Sequence, residues 1–255
     1  WPDAVVNCAA ISSPDLVDRN PEFAKIINVE VPRRLAEISS HLGARYLHVS
    51  SDMVFPGQSA PYRSTDKTNP LSEYGQQKLD AEVDTLAVTD ENLVVLRTTL
   101  INGNSPRGNR SPHERILEAL SKGKKPVLFT DEWRQTSSAD NLAQLIVELL
   151  ERPNLNGIFH WAGADIVTRY ELGRRILERF GFSEDHLVAT TASEVVEKIG
   201  VRPQRLTFEL APLTSKVKTI PASLEQQLEE MHLPQSLYGW YRENVDDPTC
   251  YTPRF

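Results

Sequence analysis

The chain has 255 residues, of which 40% are hydrophobic and 25% are charged, as is ordinary for a globular protein with a sizeable core. Its formal net charge of −7 argues against nucleic acid and anionic membranes as partners, because both would be repelled. The two cysteines, Cys8 and Cys250, are too few and too far apart for a disulfide framework, which predicts a cytoplasmic protein.

Apolar runs alternate with helical patterns up to Leu100. In chain order, we predict a strand over Ala4–Ala10, a polar loop containing Pro14 and Pro21, a helix from about Pro32 to Leu42, a strand over Arg45–Ser51, a turn-rich stretch, a helix from Ser72 to about Leu86, and a strand over Leu93–Leu100. This alternation predicts parallel pairing in an α/β Rossmann-type, doubly wound sheet. Because the first segment already has the pattern of a buried strand, we expect the chain to begin in mid-fold.

The alternation loosens beyond Gly103. There we predict a helix over Ser111–Lys122, a strand over Pro126–Phe129, a helix over Ala139–Leu150, a strand over Gly157–Trp161, a helix over Tyr170–Phe180, and a mixed polar region from Ser183 onward. No segment approaches the roughly 20 apolar residues that a membrane span requires.

Tyr74 and Lys78 are the strongest local signal for chemistry. They are four residues apart on a predicted helix, so both side chains lie on one face. A lysine ammonium beside a tyrosine lowers the pKa of the phenol and suits it for proton transfer. On spacing alone, an exposed helical pair without a function is the alternative.

Ser51 ends the strand that precedes this helix. In open α/β sheets, catalytic groups collect at the carboxyl ends of strands, so the Ser51 hydroxyl is a candidate to hold a substrate carbonyl beside Tyr74. An ordinary turn after the strand, with Asp52 as its cap, is the alternative.

Short segments along nearly the whole chain carry a family resemblance. The segments are Asn7–Ala10, Pro21–Ala24, Ser50–Gly57, Pro61–Tyr62, Tyr74–Leu79, Leu96–Thr99, Gly157–Gly163 and Arg202–Pro203. In this order they resemble the dTDP-4-dehydrorhamnose reductase family of the extended short-chain dehydrogenases/reductases.

The resemblance implies an NAD(P)H-dependent reductase of a nucleotide-linked 4-keto sugar, within the nucleotide-sugar metabolism that makes dTDP-rhamnose. Tyr74 would donate a proton to the ketone oxygen, Lys78 would lower the pKa of Tyr74 and hold the nicotinamide ribose, and Ser51 would stabilise the developing oxyanion. The residues implied to bind NADP or NAD are Ala9, Ala10, Ile11, Ser12, Ser50, Tyr74, Lys78 and Thr98. The residues implied to bind the substrate are Ser51, Asp52, Val54, Leu100 and Arg202.

The same resemblance implies two domains. A partial NAD(P)-binding Rossmann domain would comprise residues 1–100 plus about 135–161. A smaller C-terminal substrate-binding domain would comprise residues 101–134 plus 162–255.

The chain departs from the family in its glycines. None of the 12 glycines forms the G-x-G-x-x-G turn that cradles a dinucleotide pyrophosphate. Since the resemblance begins at the family's fourth strand, we expect the first three strands to be missing from this sequence. We therefore expect this chain by itself to bind cofactor poorly and to lack activity. The preference for NADH or NADPH depends on the missing part.

Leu100 is the second departure, because the reductases often carry a tryptophan there. The regulatory β subunit of methionine adenosyltransferase, a neighbouring branch, resembles this chain at Ser50–Asp52, Asp131–Gln135 and Phe159–Gly163. That similarity implies an alternative function as an NADP-binding regulatory subunit, with a methionine adenosyltransferase catalytic subunit as its partner. A homodimer is also left open.

Arg202 and the histidines complete the candidates. Arg202 would pair with a substrate diphosphate, since guanidinium groups match phosphate oxygens, and a surface ion pair is the alternative. The six histidines lack the spacing of ligand pairs, so we predict no metal site.

Overall fold

The structure is a computed structural model that describes residues 1–89, 91–199 and 202–252. Its first half alternates strands with helices. In chain order the elements are β1 (Ala4–Asn7), α1 (Pro14–Arg19), α2 (Pro21–Lys25), a short π-helix (Ile26–Glu30), α3 (Val31–Leu42), β2 (Arg45–Ser51), a 3-10 turn (Asp52–Val54), α4 (Glu73–Val88) and β3 (Leu93–Thr98).

The second half contains shorter strands between helices. They are β4 (Ile101–Asn102), α5 (Pro112–Ser121), β5 (Val127–Phe129), β6 (Trp133–Arg134), β7 (Ser137–Ser138), α6 (Ala139–Leu150), β8 (Gly157–Trp161), β9 (Val167–Thr168), α7 (Arg169–Arg179), β10 (Val188–Thr190), α8 (Ala192–Ile199), β11 (Arg205–Leu206), α9 (Leu224–Glu230) and α10 (Tyr238–Asn244). Three further 3-10 turns cover Glu184–His186, Leu213–Ser215 and Gln235–Leu237.

The main sheet has the strand order β1–β2–β3–β8, and every neighbouring pair is parallel. Parallel strands need long crossovers, which α3, α4 and α6 provide. The predicted α/β fold with a parallel sheet is therefore confirmed. β1 and β8 are the edge strands, and one of the four side chains of β1, Val6, is exposed.

Helices cover both faces of this sheet, because successive side chains of a strand point in opposite directions. On β2, Tyr46 packs in a buried cluster with Ala36 of α3, whereas the next residue, Leu47, packs in a cluster with Leu145 and Leu149 of α6. Burial on both faces explains why the next strand, β3, whose six residues are all buried, begins with the apolar run Leu93–Leu96.

The predicted loop containing Pro14 and Pro21 is wrong. Pro14 and Pro21 each occupy the first turn of a short helix, α1 and α2. Proline fits there because the first helical N–H groups have no partner within the helix and the ring fixes a helical φ. A polar segment with two prolines is typical of a loop, so the sequence pattern gave the wrong element.

A second buried cluster lies outside the main sheet. It joins α5, α7, α9 and α10, with Leu117, Leu172, Phe180, Leu228 and Tyr241 among its members. Within the described residues, no helix combines the length and the apolar character that crossing a bilayer would require.

Candidate active site

The tip of β2 places a hydroxyl and a carboxylate next to each other. Ser51 is the last residue of the strand and is 8% exposed, and Asp52 opens the 3-10 turn that follows. The Ser51 hydroxyl donates to Asp52 Oδ1 at 3.2 Å and accepts from the Met53 N–H at 3.2 Å. The side chain of Ser51 is thereby fixed at the carboxyl edge of the sheet.

Tyr74 reaches this edge from the first turn of α4. Ser72 caps the helix by accepting from the Gly75 N–H at 3.1 Å, and the phenol of Tyr74 lies near the Ser51 hydroxyl. Burial raises the pKa of Tyr74 to about 12, the polar Ser51 hydroxyl lowers that pKa, and the nearby Asp52 carboxylate raises it. Tyr74 therefore holds its proton at neutral pH and is suited to donate it.

Gly75 allows the close approach of α4 to the turn after β2, because a Cβ there would overlap the carbonyl oxygen of Met53. We expect Gly75→Ala to lower the free energy of unfolding by about 1–3 kcal/mol, as overpacking does, and to move Tyr74 away from Ser51. Urea unfolding measures the first effect. Gly239→Ala is the matched control, because Gly239 lies in α10 with nothing near its Cβ, so that change should leave stability equal or higher. Equal effects of the two changes would contradict the close approach at Gly75.

Lys78 lies one turn further along α4, but its amine points to β2. The side chain is 2% exposed, and Nζ donates to the Val49 carbonyl at 2.8 Å and contacts His48 Nε2 at 3.1 Å. Burial lowers the pKa of Lys78 to about 8, against the opposing effects of Glu82 and Cys8. In this arrangement burial and Asp52 raise the pKa of Tyr74, and the expectation that Lys78 lowers it stays a prediction.

Asp52 is a buried carboxyl beside the cleft. Burial raises its pKa to about 6, although Arg134 and the Ser51 hydrogen bond act in the opposite direction. A folded-state pKa above the ordinary value means that ionisation opposes folding, so stability is lost as pH rises from about 4 to 6.

We therefore expect the wild-type free energy of unfolding to fall by up to about 3 kcal/mol relative to Asp52→Asn as pH rises through that window. Chemical denaturation of both proteins at each pH measures the difference, and the comparison cancels the other titrating groups. A difference that stays constant from acidic to neutral pH would contradict the raised pKa.

The segment Ala9–Ser12, implied to bind cofactor, follows the tip of β1. Ala9 and Ser12 are exposed, whereas Ala10 and Ile11 are partly buried. Asn28 holds the segment by accepting from the Ile11 N–H at 2.8 Å and donating to the Ile11 carbonyl at 3.2 Å. The segment thus lies against the same edge of the sheet as Ser51.

Several residues of the predicted site point elsewhere. The Ser50 hydroxyl donates to the buried Glu82, and the Thr98 hydroxyl lies 3.0 Å from Ser137 Oγ, so both side chains have partners within the fold. Val54 is fully buried in a cluster with Phe55, and the binding roles of these three residues stay predictions. Successive side chains of a strand point to opposite faces of the sheet, so the side chain of Ser50 points away from the face that Ser51 occupies.

Leu100 and Arg202 lie in the second half of the chain. Leu100 is partly buried against the cluster that joins α5 and α7. Arg202 donates to the buried Glu132 at 2.6 Å and lies over the ring of Phe129, with its side chain 43% exposed. The ion pair holds one edge of the guanidinium and leaves the rest accessible.

A family model described as the RmlD substrate binding domain matches residues 1–235. The chain belongs to this family. Methionine adenosyltransferase 2 subunit beta of Xenopus tropicalis is 32% identical over 209 residues, which are 80% of this chain and 61% of that protein. The probable low-salt glycan biosynthesis reductase Agl14 of Haloferax volcanii is 30% identical over 244 residues, 93% of this chain and 79% of that protein.

Solved structures share the RmlD fold. The dTDP-4-dehydrorhamnose reductase of Bacillus anthracis in complex with NADP matches with a TM-score of 0.78 and 20% identity, over 89% of this chain and 78% of that one. The chain thus spans about three fifths of the Xenopus relative and nearly four fifths of the reductases.

Two groups of side chains in this RmlD-family chain were missed by the sequence analysis. Asn28 and Gln77 hydrogen bond at 3.0 Å and tie the segment after β1 to α4. The available signal was the family resemblance, to which Asn28 contributes together with Pro21–Ala24, but it gave no contact between Asn28 and Gln77.

The second missed group is cationic. Arg134 and Arg169 lie beside the Arg202–Glu132 pair, and burial together with the neighbouring arginines lowers the pKa of Arg169 to about 10. Beyond them, Arg169 and Arg115 border a cavity of about 140 Å³ with apolar walls. Each of these arginines comes from a different segment, so no spacing in the sequence could reveal the group.

Within the described residues, no group of three or more His, Cys, Asp or Glu side chains is placed to hold a metal ion.

Proposed function

We propose that the protein is an NAD(P)H-dependent reductase of a nucleotide-linked keto sugar. The observation that carries this proposal is the pairing of Tyr74 with Ser51 at the carboxyl edge of the parallel sheet, in a chain of the RmlD family. Tyr74, whose pKa is raised, donates its proton to the carbonyl oxygen of the substrate, and the Ser51 hydroxyl stabilises the charge that develops there.

A nicotinamide cofactor would supply the hydride. The residues present fit the nicotinamide end of such a cofactor, because the short side chains of Ala9 and Ala10 leave the strand tip open and Lys78 lies one turn after Tyr74 on α4, with its amine held at the Val49 carbonyl. The sequence has no G-x-G-x-x-G, so this chain holds no glycine-rich cradle for the pyrophosphate. The Bacillus anthracis structure with NADP supports the choice of cofactor class.

The nucleotide part of the substrate would bind along the arginines. Arg134 lies close enough to Asp52 for their charges to interact, and Arg169 and Arg202 extend the cationic group away from the cleft. Guanidinium groups suit diphosphate oxygens, and the apolar cavity bordered by Arg115 and Arg169 suits a planar base. The sugar then lies between the arginines and Tyr74.

The test is turnover by a protein in which a glycine-rich Rossmann half precedes this chain, with several nucleotide-linked 4-keto sugars, each with NADH and with NADPH, followed by the loss of nicotinamide absorbance. Arg202→Gln, which leaves Tyr74 and Ser51 unchanged, should raise KM for the nucleotide sugar more than it lowers kcat. Binding of nucleotide sugars without reduction of any of them would contradict the enzymatic proposal.

A second candidate function is that of a regulatory subunit for methionine adenosyltransferase. The similarity to the Xenopus β subunit and the aliphatic Leu100 favour it. Co-elution with a methionine adenosyltransferase catalytic subunit in size-exclusion chromatography would support this function. Separate elution of the two proteins, at concentrations well above the dissociation constants of stable subunit complexes, would exclude this function.

A further inference from the structure

A buried chain of hydrogen bonds runs beneath Lys78 from β1 to α4. Asn7 and His48 are paired in register on the neighbouring strands β1 and β2, and both are buried, at 3% and 0% exposure. Asn7 Nδ2 lies 3.2 Å from His48 Nδ1, and His48 Nε2 lies 3.1 Å from Lys78 Nζ. The proposed reaction gives Asn7 and His48 no role.

The amide of Asn7 has only one orientation that satisfies its neighbours. Its Oδ1 accepts from the Ala9 N–H at 3.1 Å. With Oδ1 on Ala9, the Asn7 NH₂ group faces His48 Nδ1, and because an NH₂ group has only protons to offer, it donates to that nitrogen.

This orientation decides the tautomer of His48. Burial lowers the pKa of His48 well below its usual range, so the ring is neutral and carries one proton. Because Nδ1 accepts from Asn7, that proton is on Nε2, where it points to Lys78 Nζ. An ammonium group has three donors and no acceptor, so an Nε2–H faces it without a bond. An uncharged amine accepts from His48 and still donates to the Val49 carbonyl.

We propose that Asn7 and His48 are positioning residues that favour the uncharged amine of Lys78 and couple its protonation to the backbone at Ala9. When Nζ gains a proton, His48 must offer it a lone pair, and its own proton moves from Nε2 to Nδ1. The Asn7 amide then turns to accept from Nδ1, and the Ala9 N–H loses its acceptor. The network gains one proton, and the backbone at Ala9 is released, while Asn28 still holds Ile11.

Other charged groups face Lys78 and work against this preference. Cys8, after β1, and Glu82, on α4, both favour the ammonium form. Glu82 is itself paired with Arg97 of β3 at 2.7 Å. Burial and the hydrogen bonds of His48 oppose these two groups, so both forms of Lys78 are accessible near neutral pH.

This proposal rests on the proposed function only where it concerns cofactor binding. The coupling between Lys78 and Ala9 is therefore tested on the protein without cofactor or substrate. The measurement is nitrogen NMR of ¹⁵N-histidine- and ¹⁵N-lysine-labelled protein across a pH titration, with Lys78→Met and His48→Gln used to assign the signals. At high pH, His48 should be protonated on Nε2, and the change to Nδ1 should follow the titration of Lys78.

Asn7→Leu removes the donor to Nδ1 without adding charge, so the proton affinity of Lys78 should rise by about tenfold. Thr85→Val is the control, because Thr85 is equally buried on α4 but bonds only to carbonyls of its own helix, and it should leave the titration unchanged. A proton on Nδ1 while Lys78 is neutral would overturn the proposal, and the wild-type protein alone decides that point even if Asn7→Leu fails to fold. Absence of reductase activity would leave these outcomes unaffected.

Discussion

Replacing Tyr74 with phenylalanine should lower kcat of the proposed reduction by about 10²–10⁴-fold, the range that a positioned general acid contributes. The phenyl ring keeps the packing of Tyr74 and loses only the hydroxyl that meets Ser51. Because the reacting proton is lost while the substrate contacts remain, KM should change much less than kcat. Steady-state rates at saturating NADPH measure both.

Tyr241→Phe is the matched control for this change. The Tyr241 hydroxyl donates to the Phe180 carbonyl inside the buried cluster of the second half, away from Ser51. Tyr241→Phe also removes one tyrosine hydroxyl, and we expect it to leave kcat unchanged. A Tyr74→Phe enzyme that retains most of its rate would assign the proton transfer to another group.

The pattern of the sequence predicts the main sheet well, for a physical reason. The strand buried along its whole length, β3, begins with the apolar run Leu93–Leu96, and the neighbouring strands β2 and β8 have the predicted bounds, Arg45–Ser51 and Gly157–Trp161. α3 ends at Gly43, whose φ of 68° a glycine adopts without strain. The helices α1 and α2 were missed because proline at a first turn resembles proline in a loop.

The candidate site could be predicted only as far as local spacing reaches. The interval between Tyr74 and Lys78 places both on α4, and Ser51 ends its strand as predicted. The direction of the Lys78 amine depends on His48, which lies 30 residues away, and on Asn7, which is a further 41 residues from His48. Such contacts follow from strand register, which a sequence pattern does not contain.

Breaking the buried ion pair between Arg97 and Glu82, which lies beneath the tips of the strands, should destabilise the fold more than Gly75→Ala. Arg97 donates to both carboxylate oxygens of Glu82 at 2.7 to 3.1 Å, and both side chains are at most 3% exposed. Glu82→Ala leaves the guanidinium charge buried without its partner. We expect the free energy of unfolding to fall by about 3–5 kcal/mol, measured by urea denaturation.

Two comparisons identify the unpaired charge as the cause. The exposed pair of Glu118 with Lys122 is the control, and Glu118→Ala should lower stability by less than about 1 kcal/mol. The double change Glu82→Leu with Arg97→Met replaces both charges by apolar side chains and should recover most of the loss, because neither member of the pair is then left buried without its partner. If the double variant were as unstable as Glu82→Ala, the loss would come from packing around Glu82 and from its bond to Ser50, not from the unpaired guanidinium.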